Sequence, residues 1–217
     1  TGTAVARVVV GAGRAQGVEL QDGRRVRARR AVVADTSAPA LYGGLLSPED
    51  VPEGLRRRMR RFTWDLPTLK LNLRLDAPMP WTAPAARGAG VVHAGHDVAG
   101  LIRWSAELEA DAVPERPFAL VGQMTTIDPS RSPAGTEALW LYTHLPRDLQ
   151  DDDRAVETVV AGCEEMLESL APGWSRHELA RWVQTPEDLQ AANANLGHGA
   201  VGGGTQQLFQ QAIWRPV

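Results

Sequence analysis

Cysteine is almost missing from this chain: Cys163 is the only one in 217 residues, so no internal disulfide can form, which fits a reducing cytoplasm. Lysine is equally scarce. Lys70 is the only one among 23 basic residues, a bias toward arginine from which no site is read. There is no run of about 18 apolar residues, which excludes a membrane-spanning helix from this stretch. A net charge of −3 carries no bias toward nucleic acid, and no nucleic-acid partner is expected. No Gly-x-Ser-x-Gly elbow occurs, so hydrolase chemistry is a poor fit. His93 and His96 are spaced like metal ligands, but no third ligand follows at zinc-like spacing, and no metal is expected.

What is present begins with Val8-Val9-Val10-Gly11-Ala12-Gly13, which opens like a dinucleotide fingerprint. The third glycine that such a fingerprint needs is replaced by Gln16, and no helical pattern follows to receive a pyrophosphate. Instead Gly17-Val18-Glu19-Leu20-Gln21 alternates at strand period and runs into Asp22-Gly23, a hairpin signal. The segment therefore reads as strand, turn, strand, turn, strand, closed by Ala31-Val32-Val33-Ala34 as a short buried run.

The string Gly13 to Gly23, followed by Ala28 and Ala31-Val32-Val33-Ala34, resembles a region of FAD-dependent oxidoreductases of the phytoene dehydrogenase-related family. Further stretches follow the family's order. They are Pro67 to Leu75, Asp128-Pro129-Ser130 with Pro133-Ala134-Gly135, and Asn193 to Gly199 leading to Arg215-Pro216-Val217. The resemblance implies a longer parent with its fingerprint upstream and a glycine-rich flavin-closing motif downstream. The chain starts Thr1-Gly2-Thr3 and contains neither motif, so a central fragment is expected.

Other elements come from periodicity. Thr36 to Gly44 reads as a loop, Ser47-Pro48-Glu49-Asp50 as a capped turn, and Glu53 to about Phe62 as a helix. That helix carries Arg56, Arg57, Arg58, Arg60 and Arg61 around an apolar side of Leu55, Met59 and Phe62. A solvated face explains it, and a membrane-surface patch or an anionic ligand are the alternatives. Leu69, Leu71, Leu73 and Leu75 alternate with polar residues in a half-buried strand, and 119–125 and 138–142 read as an antiparallel pair. His96 and Asp97 begin a helix carrying Leu101, Ile102 and Trp104. Apolar residues at threes and fours from Asp153 to Leu170 define a second helix, whose buried face includes Cys163. His177 to Val183 is a strand, Thr185 starts a helix to about Ala192, and Gly202-Gly203-Gly204 is a flexible loop.

The expected fold class is α+β: a largely antiparallel sheet with helices on one face, as in a flavoenzyme's substrate domain (38–217), plus a β-meander remnant of an FAD-binding domain (1–37). The resemblance implies FAD as cofactor in the parent, with the backbone of Val5 holding the adenine and Ala34 and Asp35 next to it. Small residues at the end of a strand permit such close approach. It also points to Gly203, Trp214 and Arg215 as substrate-lining residues. The substrate is expected to be a small, apolar molecule, and peripheral membrane contact stays open. The isolated fragment is expected to bind FAD weakly or not at all and to be inactive. One alternative is an amine-oxidase-type flavoenzyme, although Tyr42 and Tyr142 are the only tyrosines from which an aromatic cage would be built. The other is a non-enzymatic module docking an anionic membrane or protein through the arginine helix.

Overall fold

A computed structural model describes residues 2–95 and 97–213. The chain divides into two compact units, Thr1–Asp65 with Gly202–Val217, and Leu66–Val201.

The first unit opens with the meander: β1 (Val5–Gly11), β2 (Arg14–Leu20) and β3 (Arg25–Arg27), antiparallel in the order β1-β2-β3. Ala12 (φ 49°) and Gly13 (φ 73°) turn β1 into β2. Two consecutive left-handed residues make the primed turn that suits the twist of a hairpin. No helix starts at Gly13, so the early glycines bend a ribbon as their strand-period context predicts. Across the ribbon, Glu19 accepts from Arg7 (2.9 Å) and Arg25 (2.8 Å), tying all three strands together.

Four expectations for this unit need correction. Ala31 to Ala34 is neither a strand nor buried, and Val33 is 90% exposed. An apolar run is buried only where another layer receives it, and β3 ends at Arg27 without extending the ladder that far. The loop at 36–44 is instead wound into α1 (Ala38–Ala40), capped by the Ser37 hydroxyl, and a wide turn at Leu41–Leu45. Ser47 makes no side-chain cap to the turn Pro48–Asp50, and α2 (Glu53–Met59) stops earlier than its apolar spacing suggests.

The glycine loop at 202–204 is held in place. Trp64 bridges Gly204, the Asp65 N–H donates to the Gly203 carbonyl (2.8 Å), and the Thr205 N–H donates to the Thr63 carbonyl (2.9 Å). The Gln210 amide brackets Thr63, accepting from its N–H (2.8 Å) and donating to its carbonyl (2.9 Å). These bonds join residues 147 apart in sequence, and they draw the 202–213 segment into the first unit. That unit therefore extends beyond the 1–37 meander.

The second unit is a five-stranded antiparallel sheet. Its strands are β4 (Thr68–Leu75), β5 (Val91–Ala94), β6 (Ala119–Gln123), β7 (Glu137–His144) and β8 (Glu178–Gln184), in the order β5-β6-β7-β4-β8. Between the strands lie α3 (Pro84–Arg87), α4 (Val98–Glu109), α5 (Met124–Ile127) and α6 (Asp153–Leu170), and α7 (Pro186–Ala192) follows β8. The α+β class and the antiparallel pairing follow the sequence. Two details do not: β5 was not foreseen, and β6 ends at Gln123 because the chain coils into α5.

Period two decides what is inside. Leu69, Leu71, Leu73 and Leu75 of β4 join Leu139 and Leu141 of β7 and Val121 of β6 on one face. On α6, Ala155, Val159, Cys163, Met166 and Leu167 recur at threes and fours, and they seal that face into the core. Asp152 caps α6 by accepting from the N–H groups of Arg154 and Ala155. Thr185 and Asp188 form a reciprocal capping box on α7.

Candidate functional site

The second face of this sheet is where side-chain chemistry gathers. Residues paired directly across antiparallel strands share a face, so the ladders assemble two rows. One row runs Trp182, Asn72, Trp140, Gly122, Val91, and the next runs Gln184, Lys70, Tyr142, Leu120, His93. This face is only partly covered. Trp140, Tyr142, Lys70 and Asn72 are half-buried, and Trp182 is 58% exposed.

Three interactions order it. The rings of Trp140 and Tyr142 stack with centroids 5.8 Å apart and planes 16° from parallel. The Asn72 side-chain amide donates to the Gln184 carbonyl oxygen (2.8 Å), which fixes both amides. Gly122 lets the Trp140 indole lie down on the sheet, because any Cβ at 122 would collide with it. At one end, Tyr142 meets His144 edge-on at 5.9 Å, and Trp104 of α4 lies 6.0 Å from His144. Asn72, Trp182, Val183 and Gln184 line a shallow hollow with Asp188 at its rim. Flat aromatic faces flanked by one amide pair and one ammonium group suit an extended apolar ligand with a small polar feature.

Lys70 sits in this face between Tyr142 and Gln184. Its being the only lysine held no functional message in the sequence; its neighbours do. In the sequence Trp140 is only a strand residue and Tyr142 that and one of two tyrosines for an aromatic cage, because the alternation shows which residues share a face but not which face is left uncovered. Gln184 and Trp182 also escaped notice, since their pairing with β4 joins residues more than a hundred positions apart.

The residues singled out from the resemblance lie elsewhere. Val5 starts β1 opposite Leu20, Ala34 and Asp35 lie in the exposed stretch after β3, and Gly203 sits in the held loop beside Asp65. Trp214 and Arg215 lie outside the described residues, as does His96. Whether the chain suits FAD can be tested at Val5. The Gln21 N–H donates to the Ala4 carbonyl (3.0 Å), which makes Val5 and Leu20 a pair of the non-hydrogen-bonded kind. The amide and carbonyl of Val5 therefore point away from β2, toward the outer edge of the ribbon. Among the described residues β1 pairs only with β2, so no strand ladder takes up the Val5 amide and carbonyl on that edge. The geometry fits a backbone clamp on an adenine.

Among the described residues no cluster of histidine, cysteine or carboxylate side chains is arranged to hold a metal, and no helix is long and apolar enough to cross a membrane.

No protein-family profile matches the chain. Individual proteins do. The mouse pyridine nucleotide-disulfide oxidoreductase domain-containing protein 2 is 29% identical over 233 residues, which takes in 98% of this chain and 39% of that protein. The zeta-carotene-forming phytoene desaturase of Myxococcus xanthus is 29% identical over 220 residues, with 99% and 40% covered. An oxidoreductase structure from Methanosarcina mazei superimposes with a TM-score of 0.59 at 17% identity, over 85% of this chain and 37% of that one. That last likeness speaks for the fold alone. The chain spans about two fifths of the length of the curated relatives it matches. The fold is α+β, and the proteins it matches in sequence are named as an oxidoreductase domain protein and a desaturase. The chain is therefore similar, at modest identity, to proteins of the phytoene desaturase-like kind.

Proposed function

We propose that this chain is the substrate-handling part of an FAD-dependent oxidoreductase of the dehydrogenase or desaturase type, and that its substrate is an elongated apolar molecule lying along the aromatic rows of the sheet. The observation that carries this reading is the stacked pair Trp140 and Tyr142, standing half-exposed on the face that α6 leaves free. Covering such rings with a flat apolar ligand gains about 25 cal/mol per Å² of apolar surface removed from water. The name of the Myxococcus relative, a zeta-carotene-forming phytoene desaturase, supports a polyene-like substrate.

In this reading the open edge at Val5 holds the adenine by its amide and carbonyl, with Ala34 and Asp35 permitting close approach. Gly203, Trp214 and Arg215 are the residues that the family resemblance assigns to the substrate, and the last two lie outside the described residues. A bound flavin supplies the acceptor for hydride from a C–C or C–N bond. The protein's own share is orientation and the exclusion of water. Trp140 and Tyr142 fix the plane of the substrate, the Asn72 and Gln184 amides limit its slide along the rows, and Lys70 meets its polar feature.

Retinol, a neutral polyene alcohol, tests the platform by energy transfer from tryptophan. Saturable quenching is expected, weakened several-fold in Trp182→Ala and Trp140→Leu. Quenching that neither variant alters would refute the platform. For the cofactor, the 217-residue chain should purify colourless and bind added FAD weakly, whereas a yellow preparation with stoichiometric flavin would overturn that part of the reading.

A further inference from the structure

The arginine-rich helix of the first unit carries a second site, separate from the sheet face. Gly54, Arg57, Arg58, Arg61 and Phe62 recur at threes and fours along and just beyond α2, so they share a side. With Phe209 and Gln210 they enclose a cavity of about 290 Å³. No carboxylate lines it. Glu53, the nearest acid on the helix, is already taken by ion pairs to Arg56 and Arg60. Among the described residues Arg57, Arg58 and Arg61 form no ion pair, Arg57 meeting Glu53 only through the longer reach of its charge, so three like charges line one hollow.

A merely solvated arginine face has no need of a concave apolar wall. Here Phe62 is half-buried and braced edge-to-face by Trp64 at 5.1 Å, and the Gln210 amide is oriented by its two bonds to Thr63. The charged groups lining the cavity are therefore all cationic, and Phe62 and Phe209 supply its apolar wall. Guanidinium groups in this number match the oxygens of a phosphate, which accepts bidentate, charge-assisted hydrogen bonds. We propose that the cavity of Arg57, Arg58, Arg61, Phe62 and Phe209 binds a phosphorylated small molecule, its phosphate held by the arginines and its apolar part lying against the two rings. A concave site of this size selects a discrete ligand over a flat anionic surface.

The test uses phenyl phosphate, inorganic phosphate and phosphatidylglycerol vesicles as separate arms, read by calorimetry and co-sedimentation. Phenyl phosphate should bind saturably and about tenfold or more tighter than inorganic phosphate. Arg58→Ala and Arg61→Ala should each weaken it by about tenfold or more, the scale of one lost charge-assisted hydrogen bond. Phe209→Ala should bring phenyl phosphate down to the level of inorganic phosphate. Arg24→Ala, which removes a turn arginine paired to Asp22, should change nothing. Equal affinity for the two phosphates, insensitivity to the cavity variants, or binding to the vesicles without binding to phenyl phosphate would each overturn the proposal. No arm uses flavin or polyene, so the result stands apart from the reading of the sheet face.

Discussion

Trp140 lies on the Cα of its cross-strand partner Gly122, so closely that a Cβ at 122 would run into the indole ring. Gly122→Ala must push the indole off the sheet or distort β6. The expected cost is about 1–3 kcal/mol, the usual range for overpacking, seen as a lower thermal midpoint with altered near-ultraviolet circular dichroism. Combined with Trp140→Ala, the same glycine substitution should cost far less, and strict additivity in that double-mutant cycle would show that the two residues do not meet.

Glu137 is 1% exposed, and its carboxylate accepts from the Thr125 N–H and the Thr126 hydroxyl, each at 2.8 Å. These two bonds pull the chain after Gln123 out of the ladder and into α5. Glu137→Ala leaves a buried N–H without its acceptor and should cost about 1–3 kcal/mol in chemical denaturation. Glu137→Gln keeps one acceptor and should cost less.

Hydrogen bonds from Arg7 and then Arg25 pull the Glu19 carboxyl down to about 2 from its ordinary 4.5. A depressed acid stabilises the folded meander above its unfolded value, and the contribution is lost as pH falls through the folded one. Carboxyl NMR should place the Glu19 midpoint near 2 in the native chain. Arg7→Ala should raise it, and a native midpoint at the ordinary value would mean that the ion pairs do not form in solution.

Burial, with a smaller contribution from the Glu164 charge, pushes the Cys163 thiol up to about 12 from 9.0. The unfolded chain loses this proton first, so stability should decline as pH rises from the unfolded value through the folded one. Native protein should resist disulfide exchange reagents at mildly alkaline pH and react at once when denatured. Cys163→Ser, which buries a hydroxyl on the apolar face of α6, should destabilise by about 1–3 kcal/mol.

Much of this architecture was legible because it rests on local pattern. The alternating leucines of β4, the threes and fours of α6 and the Thr185 cap each declare their element within one short window, and the structure keeps them all. Gly11 to Gly13 was legible for the same reason, since a strand-period sequence follows where a helix would be needed. Burial at Ala31 to Ala34 was misjudged because apolar composition says nothing of whether a covering layer exists. The bracket of Gln210 on Thr63 and the alignment of Trp182, Asn72 and Trp140 depend on partners far apart in sequence. No window of ordinary length contains them.

The candidate site divides along the same line. Val5 rests on resemblance, and the direction of its backbone groups is set by the phase of a single hydrogen bond, which no side chain reports. The aromatic rows were hidden in plain alternation, and Lys70 looked like a coding bias until its neighbours were placed around it.

Val33, nine-tenths in water, has a practical consequence. A solvent-facing valine in an unladdered stretch of apolar residues is ready to pair with the same stretch of another molecule. Concentrated solutions of the 217-residue polypeptide should self-associate through it. Val33→Lys is the substitution to make before any spectroscopy that needs a monomer.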